Sequence, residues 1–367
     1  MKNLLFRDDQ SLLGLNWYAL SKRLFVVPSI LSFIGLLAIY SLIGSEYSSI
    51  LLIKHILYII ISINLLIFLT FISKDDLRKT LNILTILFVI LLIFVPILGY
   101  EIKGATRWIN LKIISIQPSE ILKGPFICFI SWFCYLFIKT QKKIYLFSAV
   151  TLMSLVVALL LLQPDIGTLL VYIASFFLIL ILYFRNLKLF FLLSLLGMLF
   201  VILAYSLFDH VQIRIENFLF NENSQVSRSL NAIQSGGIFG VGLGEGQLKY
   251  SIPESHNDFI FAILIEEFGL IFGIFVAFLY PLFFILTRRS SYNFSNLFLS
   301  NTVFSLCFLI CIQAFINIGS AINLIPPTGM TLPFISYGGS SMLSYAIIFG
   351  TVINFTKNEK SPIGHPS

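Results

Sequence analysis

The sequence predicts an all-α, polytopic membrane protein with about ten transmembrane helices. Hydrophobic residues make up 58% of the 367 residues and charged residues only 11%, with a mean hydropathy of +0.95. A soluble domain carries about twice that charged fraction. Apolar runs of bilayer length recur along the chain, and the basic residues gather in alternate loops between them. These observations exclude a soluble globular fold.

Ten apolar segments are long enough to cross a bilayer, which requires about 20 residues in a helix. The predicted spans are 24–44, 50–72, 81–99, 120–138, 144–162, 166–184, 188–208, 258–286, 297–319 and 338–356. They form one membrane domain over residues 24–356, between an N-terminal segment 1–23 and a tail 357–367. Two connecting loops, 100–119 and 209–257, are long and carry unusual residues.

The basic residues predict which loops face the cytoplasm. With the N-terminus placed inside, 16 of the 24 Lys and Arg residues fall in inner segments and six fall in outer ones. Short cytoplasmic loops carry such an excess, so both termini are predicted to be cytoplasmic and both long loops to lie outside. The net charge of +7 follows from this bias and does not indicate nucleic-acid binding. The four cysteines fall inside apolar runs, which predicts small buried side chains rather than metal ligands or disulfides.

Several ionisable residues fall near the outer ends of predicted spans, where a buried charge is costly unless it is paired or hydrated. Glu120 and Lys123 are three residues apart in QPSEILK, close enough to pair on a helix. Either they form a structural ion pair, or Lys123 faces a polar cavity and meets a phosphate while Glu120 positions it. Asp165, in LLQPDIGTLL, is predicted to cap a helix. Lys54 is predicted to extend its amino group towards the membrane surface, and the neighbouring His55 to pack in the interior.

Two further segments suggest contact with an anion. Arg107 lies beside Trp108 just outside a span, and its planar guanidinium suits phosphate oxygens, although a tryptophan at this level is also ordinary for a membrane protein. The segment 325–342 carries three prolines and is too apolar for a solvated loop. Such a backbone at membrane depth is predicted to be buried in protein or to line a wet cavity. It leads to Ser340 at the start of the last span, where either anion binding or close helix packing is expected.

The stretch PESHNDFIFAILIEE, residues 253–267, places acidic residues at the outer end of a span and deeper in it. Asp258 is predicted in the first turn, where it either caps the helix or does chemistry. Glu266 would lie about 80° around the helix and roughly 12 Å deeper. This spacing predicts an acidic stripe running inward from the outer surface. With the basic outer loops, it indicates a cavity that accepts a phosphate-bearing, lipid-borne substrate from the outer leaflet.

Four segments, in order, resemble the signature segments of the SEDS proteins (shape, elongation, division and sporulation). They span residues 104–342 and read GATRWI…IQPSEILK, LQPDIGTLL, SLNAIQSGGIFGVGLGEGQLKYSIPESHNDFIFAILIEEFG and TGMTLPFISYGGSS. The resemblance implies the ten-helix SEDS fold. The third and fourth segments resemble the division type of the family more than the elongation type.

The resemblance also implies an activity. It implies a peptidoglycan glycosyltransferase that polymerises lipid II at the outer face of the bacterial cytoplasmic membrane during septal wall synthesis. The residue that matches the family's essential loop aspartate is Asp258, and an inverting transfer requires one general base, which we assign to it. The departing pyrophosphate needs cations, for which the candidates are Arg107, Lys112, Lys123 and Lys249. Glu120, Glu266 and Ser340 complete the predicted substrate-binding residues. No cofactor is assigned, and assistance by a divalent cation is left open.

The implied partners are a class B penicillin-binding transpeptidase and other membrane proteins of the division complex. Three alternatives stay open at this point: an elongation-type glycosyltransferase, a lipid II flippase, and a scaffold that only recruits the transpeptidase. A flippase would carry charges near the membrane midplane on broken helices. A scaffold would need the helix surfaces but not Asp258.

Overall fold

The computed structural model describes residues 20–43, 49–102, 105–110, 115–220, 224–290 and 296–357. Within them, nine helices are long and apolar enough to cross a membrane, and a shorter apolar helix, Gly339–Phe355, follows the last of these nine, which confirms the predicted ten spans. These helices are α1 (Arg23–Ser41), α2 (Ser49–Phe71), α3 (Lys74–Leu98), α4 (Pro118–Thr140), α5 (Lys143–Leu162), α6 (Ile166–Phe184), α7 (Leu187–Leu207), α10 (Ile260–Ser290), α11 (Leu297–Ala321) and α12 (Gly339–Phe355).

The two long loops contain secondary structure that the sequence pattern did not predict. The first holds a small antiparallel sheet of three strands in the order β1 (Tyr100–Ile102), β2 (Ala105–Asn110) and β3 (Ser115–Ile116). The second holds α8 (Asp209–Leu219), α9 (Ser224–Gly236) and a 3-10 turn, Leu248–Ser251. Strands β1 and β3 have only three and two residues, too few to show a period of two, and the all-α prediction therefore describes the membrane bundle only.

The bundle has an apolar core in which polar side chains are also buried, and its outer surface is apolar. Helix α12 packs against α2, α4 and α11, which together form the centre. Apolar side chains such as Ile83 and Met198, each 66% exposed, point away from the bundle as lipid-facing residues do. The interior holds polar side chains, including the fully buried Lys123 and Gln313. Cys128, Cys134 and Cys307 are also buried, as predicted, whereas Cys311 is partly exposed.

The predicted span 258–286 is not one continuous helix. Helix α10 starts at Ile260 and breaks at Gly269, whose φ of 84° and ψ of 171° lie outside the helical region. A Cβ at this position would stand 2.2 Å from the carbonyl oxygen of Ile238. Only glycine therefore allows the backbone of the glycine-rich loop 236–248 to approach the broken helix so closely.

Backbone pairing between this loop and α10 compensates for the break. The N–H groups of Val241 and Gly242 donate to the carbonyl oxygens of Glu266 and Glu267 at 2.9 and 3.0 Å. A broken helix leaves backbone groups unsatisfied, and in a membrane such groups must find partners in the protein. The loop supplies those partners, so it belongs to the packed structure of the bundle.

The irregular segment between α11 and α12 is buried in protein on one side and lines a cavity on the other, as predicted. Its apolar residues Leu332, Phe334 and Ile335 are fully buried. A Cβ on Gly35 of α1 would stand 2.9 Å from the carbonyl oxygens of residues 334 and 335, so α1 packs directly on this backbone. The opposite side of the segment faces the cavity described next.

Candidate active site

A cavity of about 860 Å³ opens at the end of the bundle that carries the two long loops. Its wall is built from α2, the small sheet, the first turns of α4 and α6, helix α8, and the segments before α10 and α12. Basic and acidic side chains share this wall: Lys54, Arg107, Arg214, Glu120, Asp165, Glu254 and Asp258. Charged residues were predicted to gather at the outer end of the bundle. The structure brings them there from distant parts of the chain.

Asp258 stands in a turn immediately before α10 and not in its first helical turn. Its backbone is held by Asn317 of α11, whose Nδ2 donates to the carbonyl oxygens of Asp258 at 2.9 Å and Met330 at 2.6 Å. Gly329 faces the carboxylate, since a Cβ there would lie 3.7 Å from Asp258 Oδ2. One side chain thus fixes both the aspartate and the segment opposite to it.

Two more hydrogen bonds join the Asp258 turn to the segment before α12. Ser336 Oγ donates to the carbonyl oxygen of Asn257 at 2.6 Å, and the N–H of Tyr337 donates to the carbonyl oxygen of His256 at 3.0 Å. The rings of His256 and Tyr337 also contact each other edge to face, 5.7 Å apart. Burial raises the pKa of Tyr337 to about 12, so its hydroxyl is a neutral part of the wall at physiological pH. These contacts hold the aspartate in a fixed position, as a catalytic group requires.

Arg107 stands on strand β2 and reaches the turn between α5 and α6. Its Nε donates to the carbonyl oxygen of Gln163 at 3.1 Å, and its Nη2 donates to that of Pro164. Nη1 lies 3.7 Å from Asp165 Oδ1, while Gln117 Nε2 donates to Asp165 Oδ2 at 3.2 Å. With 21% of its side chain exposed, Arg107 is a positioned cation on the cavity wall.

Arg214 of α8 is a second arginine on the same wall, and no pattern in the sequence indicated it. Burial and the positive charge of Arg107 lower the pKa of Arg214, while Asp165 and Asp258 act in the opposite direction. Arginine stays protonated in proteins, so the side chain remains a cation. Two guanidinium groups close enough to repel one another form a place where an anion with several oxygens is stabilised.

Asp165 is another residue of the cavity wall that the sequence did not place there. It caps α6 as expected, accepting a hydrogen bond from the N–H of Thr168. The same carboxylate lines the cavity and pairs with Arg107. The signal available in the sequence, a proline followed by an aspartate at a helix start, is explained by capping alone, which is why it did not indicate the site.

Glu120 and Lys123 form the ion pair that their spacing predicted, with 2.7 Å between Lys123 Nζ and Glu120 Oε1. Lys123 is fully buried and also donates to Gln313 Oε1 at 3.3 Å. Only Glu120 reaches the cavity wall. The structure therefore supports the ion-pair alternative and places the ammonium group behind the cavity, in the protein interior.

Ser340 is buried in the first turn of α12 and does not reach the cavity wall. Its hydroxyl accepts a hydrogen bond from the N–H of Gln117 at 3.0 Å and donates to the carbonyl oxygen of Ser115 at 3.5 Å. It joins α12 to the start of α4, while the adjacent Ser341 lines the cavity. Close packing is thus the alternative that the geometry supports for Ser340. Lys112 lies outside the described residues.

The predicted acidic stripe from Asp258 to Glu266 is wrong. Glu266 Oε1 accepts a hydrogen bond from the N–H of Leu248 at 2.8 Å, and a Cβ on Gly246 would stand 2.9 Å from the Glu266 carboxylate carbon. Glu266 therefore points to the glycine-rich loop, away from the cavity. The physical reason is that Asp258 precedes the helix, so helical geometry does not relate the two side chains.

Lys249 and the neighbouring Glu267 form a fully buried ion pair in the same place. Lys249 Nζ also donates to the carbonyl oxygens of Ser41 at 2.8 Å and Gly244 at 3.2 Å. The lysine thus joins the end of α1, the glycine-rich loop and α10. Neither residue lines the cavity, so the structure places Lys249 beside Glu266 in the packed interior and not with the residues of the cavity wall.

In the part of the chain that the structure describes, no group of three or more His, Cys, Asp or Glu is arranged to hold a metal ion. Assistance by a divalent cation stays a prediction from the sequence. The cations that the structure itself brings to the cavity are Lys54, Arg107 and Arg214.

The fold and the cavity define a class of protein. It is a polytopic membrane protein whose bundle opens at one end into a charged cavity that contains two aspartates, Asp165 and Asp258, and two arginines. Residues 21–361 match the model of the FtsW/RodA/SpoVE family, described as cell cycle proteins. The chain belongs to this family, which confirms the resemblance to the SEDS proteins.

Curated relatives cover most of the chain. In an alignment of 374 residues in length, the chain is 31% identical to the probable peptidoglycan glycosyltransferase FtsW of Caulobacter vibrioides. The alignment covers 98% of this chain and 94% of that protein. The chain is 36% identical to the protein of the same description from Saccharophagus degradans, over 76% of each chain. It is 33% identical to the stage V sporulation protein E of Bacillus subtilis, over 74% of this chain and 76% of that protein.

Solved structures share the fold. One chain of a peptidoglycan synthase complex, described as coordinating polymerization and crosslinking, superposes with a TM-score of 0.77 at 24% identity, covering 94% of this chain and 100% of that one. The rod shape determining protein RodA of Thermus thermophilus superposes with a TM-score of 0.70 at 24% identity, covering 95% and 100%.

Proposed function

We propose that the protein is a peptidoglycan glycosyltransferase that polymerises lipid II into glycan strands. The observation that carries this proposal is the placement of Asp258 in a cavity that also presents Arg107 and Arg214. A proton acceptor and a pair of cations are what a glycosyl transfer from a diphosphate-linked sugar requires. Relatives described as probable peptidoglycan glycosyltransferases, at 31 to 36% identity, support the same activity.

In the proposed reaction, the 4-hydroxyl of one sugar attacks the anomeric carbon of another while undecaprenyl pyrophosphate departs. Asp258 accepts the proton of the attacking hydroxyl, and the new glycosidic bond forms with inversion at the anomeric carbon, so no second carboxylate is needed as a nucleophile. Arg107 and Arg214 stabilise the negative charge that develops on the departing pyrophosphate. A Lys54 ammonium on the same wall would add a third positive charge.

The proposed membrane orientation places the cavity at the outer face of the bacterial cytoplasmic membrane, with both termini in the cytoplasm. The split of basic residues between loops supports it. Cysteine substitution at the exposed Glu245 should allow labelling from outside, and substitution at the exposed Gln141 should not. The reverse labelling pattern would contradict the orientation.

The charged cavity lining gathers at one end of the bundle, which favours an enzyme over a flippase, since a transporter binds its substrate near the midplane. The division-type relatives favour a role in septal wall synthesis over a role in elongation. Depletion of the protein in cells should therefore give filaments, whereas round cells would indicate the elongation type.

The proposed partner is a class B penicillin-binding transpeptidase, together with other membrane proteins of the division complex. A related chain solved as part of a peptidoglycan synthase complex supports such a partner. The function is tested with purified protein and labelled lipid II, with and without the transpeptidase. We expect glycan strands from the complex and much slower polymerisation by the isolated chain. Absence of strands in both samples would contradict the proposed activity, and equal rates would contradict activation by the partner.

Arg214 provides a test of the anion-binding role, because Arg107 also holds the α5–α6 turn. We expect Arg214→Gln to slow lipid II polymerisation roughly 10- to 100-fold, the range expected when one hydrogen bond to a charged group is lost. The matched control is Arg228→Gln, which removes a positive charge from an exposed site of the same loop, where Arg228 Nη1 donates to the carbonyl oxygen of Ser251. Equal rates for the two variants would exclude Arg214 from substrate binding.

A further inference from the structure

A second cavity of about 320 Å³ lies beside the candidate active site. Asn217 of α8 forms part of the wall of both cavities, so they are adjacent. The second cavity is lined by Asn217, Phe218, Val226, Ser227, Leu230, Asn231, Gln234 and Asn323. It is formed by α8, by α9 and by the turn that follows α11, and none of these residues takes part in the proposed reaction.

The lining of the second cavity differs in chemistry from that of the active site. Among the described residues that line it, the polar side chains are one hydroxyl and the carboxamides of Asn217, Asn231, Gln234 and Asn323, and none is ionisable. A carboxamide both donates and accepts hydrogen bonds, so it suits ligands with hydroxyl and amide groups. Phe218, Val226 and Leu230 add apolar surface. The combination suits a neutral ligand that has polar edges and an apolar face.

Helix α9 presents its part of this lining on one face. Ser227, Leu230, Asn231 and Gln234 follow the spacing that places side chains on the same side of a helix. On the other side, Ser229 Oγ donates to the carbonyl oxygen of Ala321 at 2.7 Å, and Ala232 is fully buried. At the end of the helix, a Cβ on Gly236 would stand 2.1 Å from the carbonyl oxygen of Ile265. Helix α9 is therefore held against α10 and α11, with its polar stripe facing the cavity.

We propose that this second cavity is a subsite for a neutral N-acetylated sugar of the glycan strand, next to the sugars that react. The proposal rests on the proposed function. A growing strand occupies space beside the reaction point, and its sugars carry hydroxyl and acetamide groups and no diphosphate. The volume of the cavity is at the lower end of the range for ligand pockets, so it holds one or two sugar rings and not a lipid chain.

The first test measures glycan length. In the complex with the transpeptidase, the double variant Asn231→Ala/Gln234→Ala should make strands that are roughly three- to tenfold shorter, because the loss of a hydrogen bond speeds strand release by about that factor. The initial rate of lipid II consumption should stay close to that of the wild type, since neither residue touches the active site. The control is Ser235→Ala, a small exposed residue of α9 outside the lining, and it should make strands of normal length.

The second test measures binding without catalysis. Saturation-transfer NMR on the full chain in detergent, with a β-1,4-linked tetramer of N-acetylglucosamine as the probe, should show binding that the double variant weakens roughly three- to tenfold. Shorter strands together with weaker tetramer binding would support the subsite. Strands of normal length, or tetramer binding that the substitutions leave unchanged, would overturn it.

Two further outcomes distinguish the sugar subsite from the proposed function and from a role of α9 in binding the transpeptidase. If the wild type makes no strands, the proposed function fails and the tetramer measurement alone decides the subsite. If the double variant loses the transpeptidase in gel filtration while tetramer binding is unchanged, α9 contacts the partner and the sugar subsite is wrong.

Discussion

Asp258→Asn is expected to abolish measurable lipid II polymerisation while the protein still folds and binds its partner. Asparagine has nearly the same shape as aspartate, and the backbone hydrogen bonds that hold this turn, from Asn317 Nδ2 and to the carbonyl oxygen of Glu254, do not involve the carboxylate. What the substitution removes is the proton acceptor for the attacking hydroxyl, and the loss of a general base typically costs about 10²–10⁴ in rate. The measurement is strand synthesis by the purified complex, after gel filtration has confirmed that the complex is intact.

The control for Asp258→Asn is Glu245→Gln, which removes one carboxylate from an exposed position in the same loop and outside the cavity. We expect this variant to polymerise at the wild-type rate. A purely structural role for Asp258 leads to a different outcome, because asparagine replaces aspartate in a turn or a helix cap at a cost of about 1 kcal/mol at most and would leave turnover nearly normal. Strands made by Asp258→Asn at the wild-type rate would therefore remove Asp258 from the mechanism.

Lys249→Met is expected to destabilise the fold by roughly 3–5 kcal/mol, the cost of removing one partner from a buried ion pair. The substitution leaves the buried Glu267 carboxylate without its cation and removes the hydrogen bonds to the carbonyl oxygens of Ser41 and Gly244. The glycine-rich loop that leads to Asp258 depends on these contacts. The measurement is the free energy of unfolding of the purified protein in detergent, with polymerisation measured in parallel.

Two comparisons make this prediction specific to the buried pair. Lys79→Met breaks an exposed i,i+3 pair with Asp76, with 63% and 66% of the two side chains exposed, and pairs of this kind contribute at most about 1 kcal/mol. The double variant Lys249→Met/Glu267→Gln should recover part of the lost stability, because no buried charge is then left unpaired. If Lys249→Met is no more harmful than Lys79→Met, the buried pair does not hold the loop.

The membrane class and most helix positions could be predicted from the sequence because lipid imposes a simple local rule. A helix satisfies all its backbone hydrogen bonds internally, and about 20 apolar residues carry it across the bilayer. Helix α6 accordingly spans Ile166–Phe184, with the ends that the apolar run predicts. The Glu120–Lys123 pair was predictable for a similar reason, since both residues lie on one helix and neighbours three apart touch.

The composition of the cavity wall was decided by the tertiary structure alone. Arg107, Asp165 and Arg214 come from three separate segments, and no local spacing relates them to Asp258. Their approach depends on how β2, α6 and α8 pack around the aspartate.

The sequence by itself determined that the protein is a bundle of membrane helices and that it resembles the SEDS family. It also determined which aspartate, Asp258, matches the essential aspartate of that family. The tertiary structure decided which other charges meet that aspartate. The break at Gly269 and the loop paired across it turn Glu266 and Glu267 towards Lys249 and the loop backbone, so these two acids hold the fold together and do not line the cavity that contains Asp258. A side chain's direction within a packed bundle depends on contacts between residues far apart in the chain, and such contacts leave no period in the sequence.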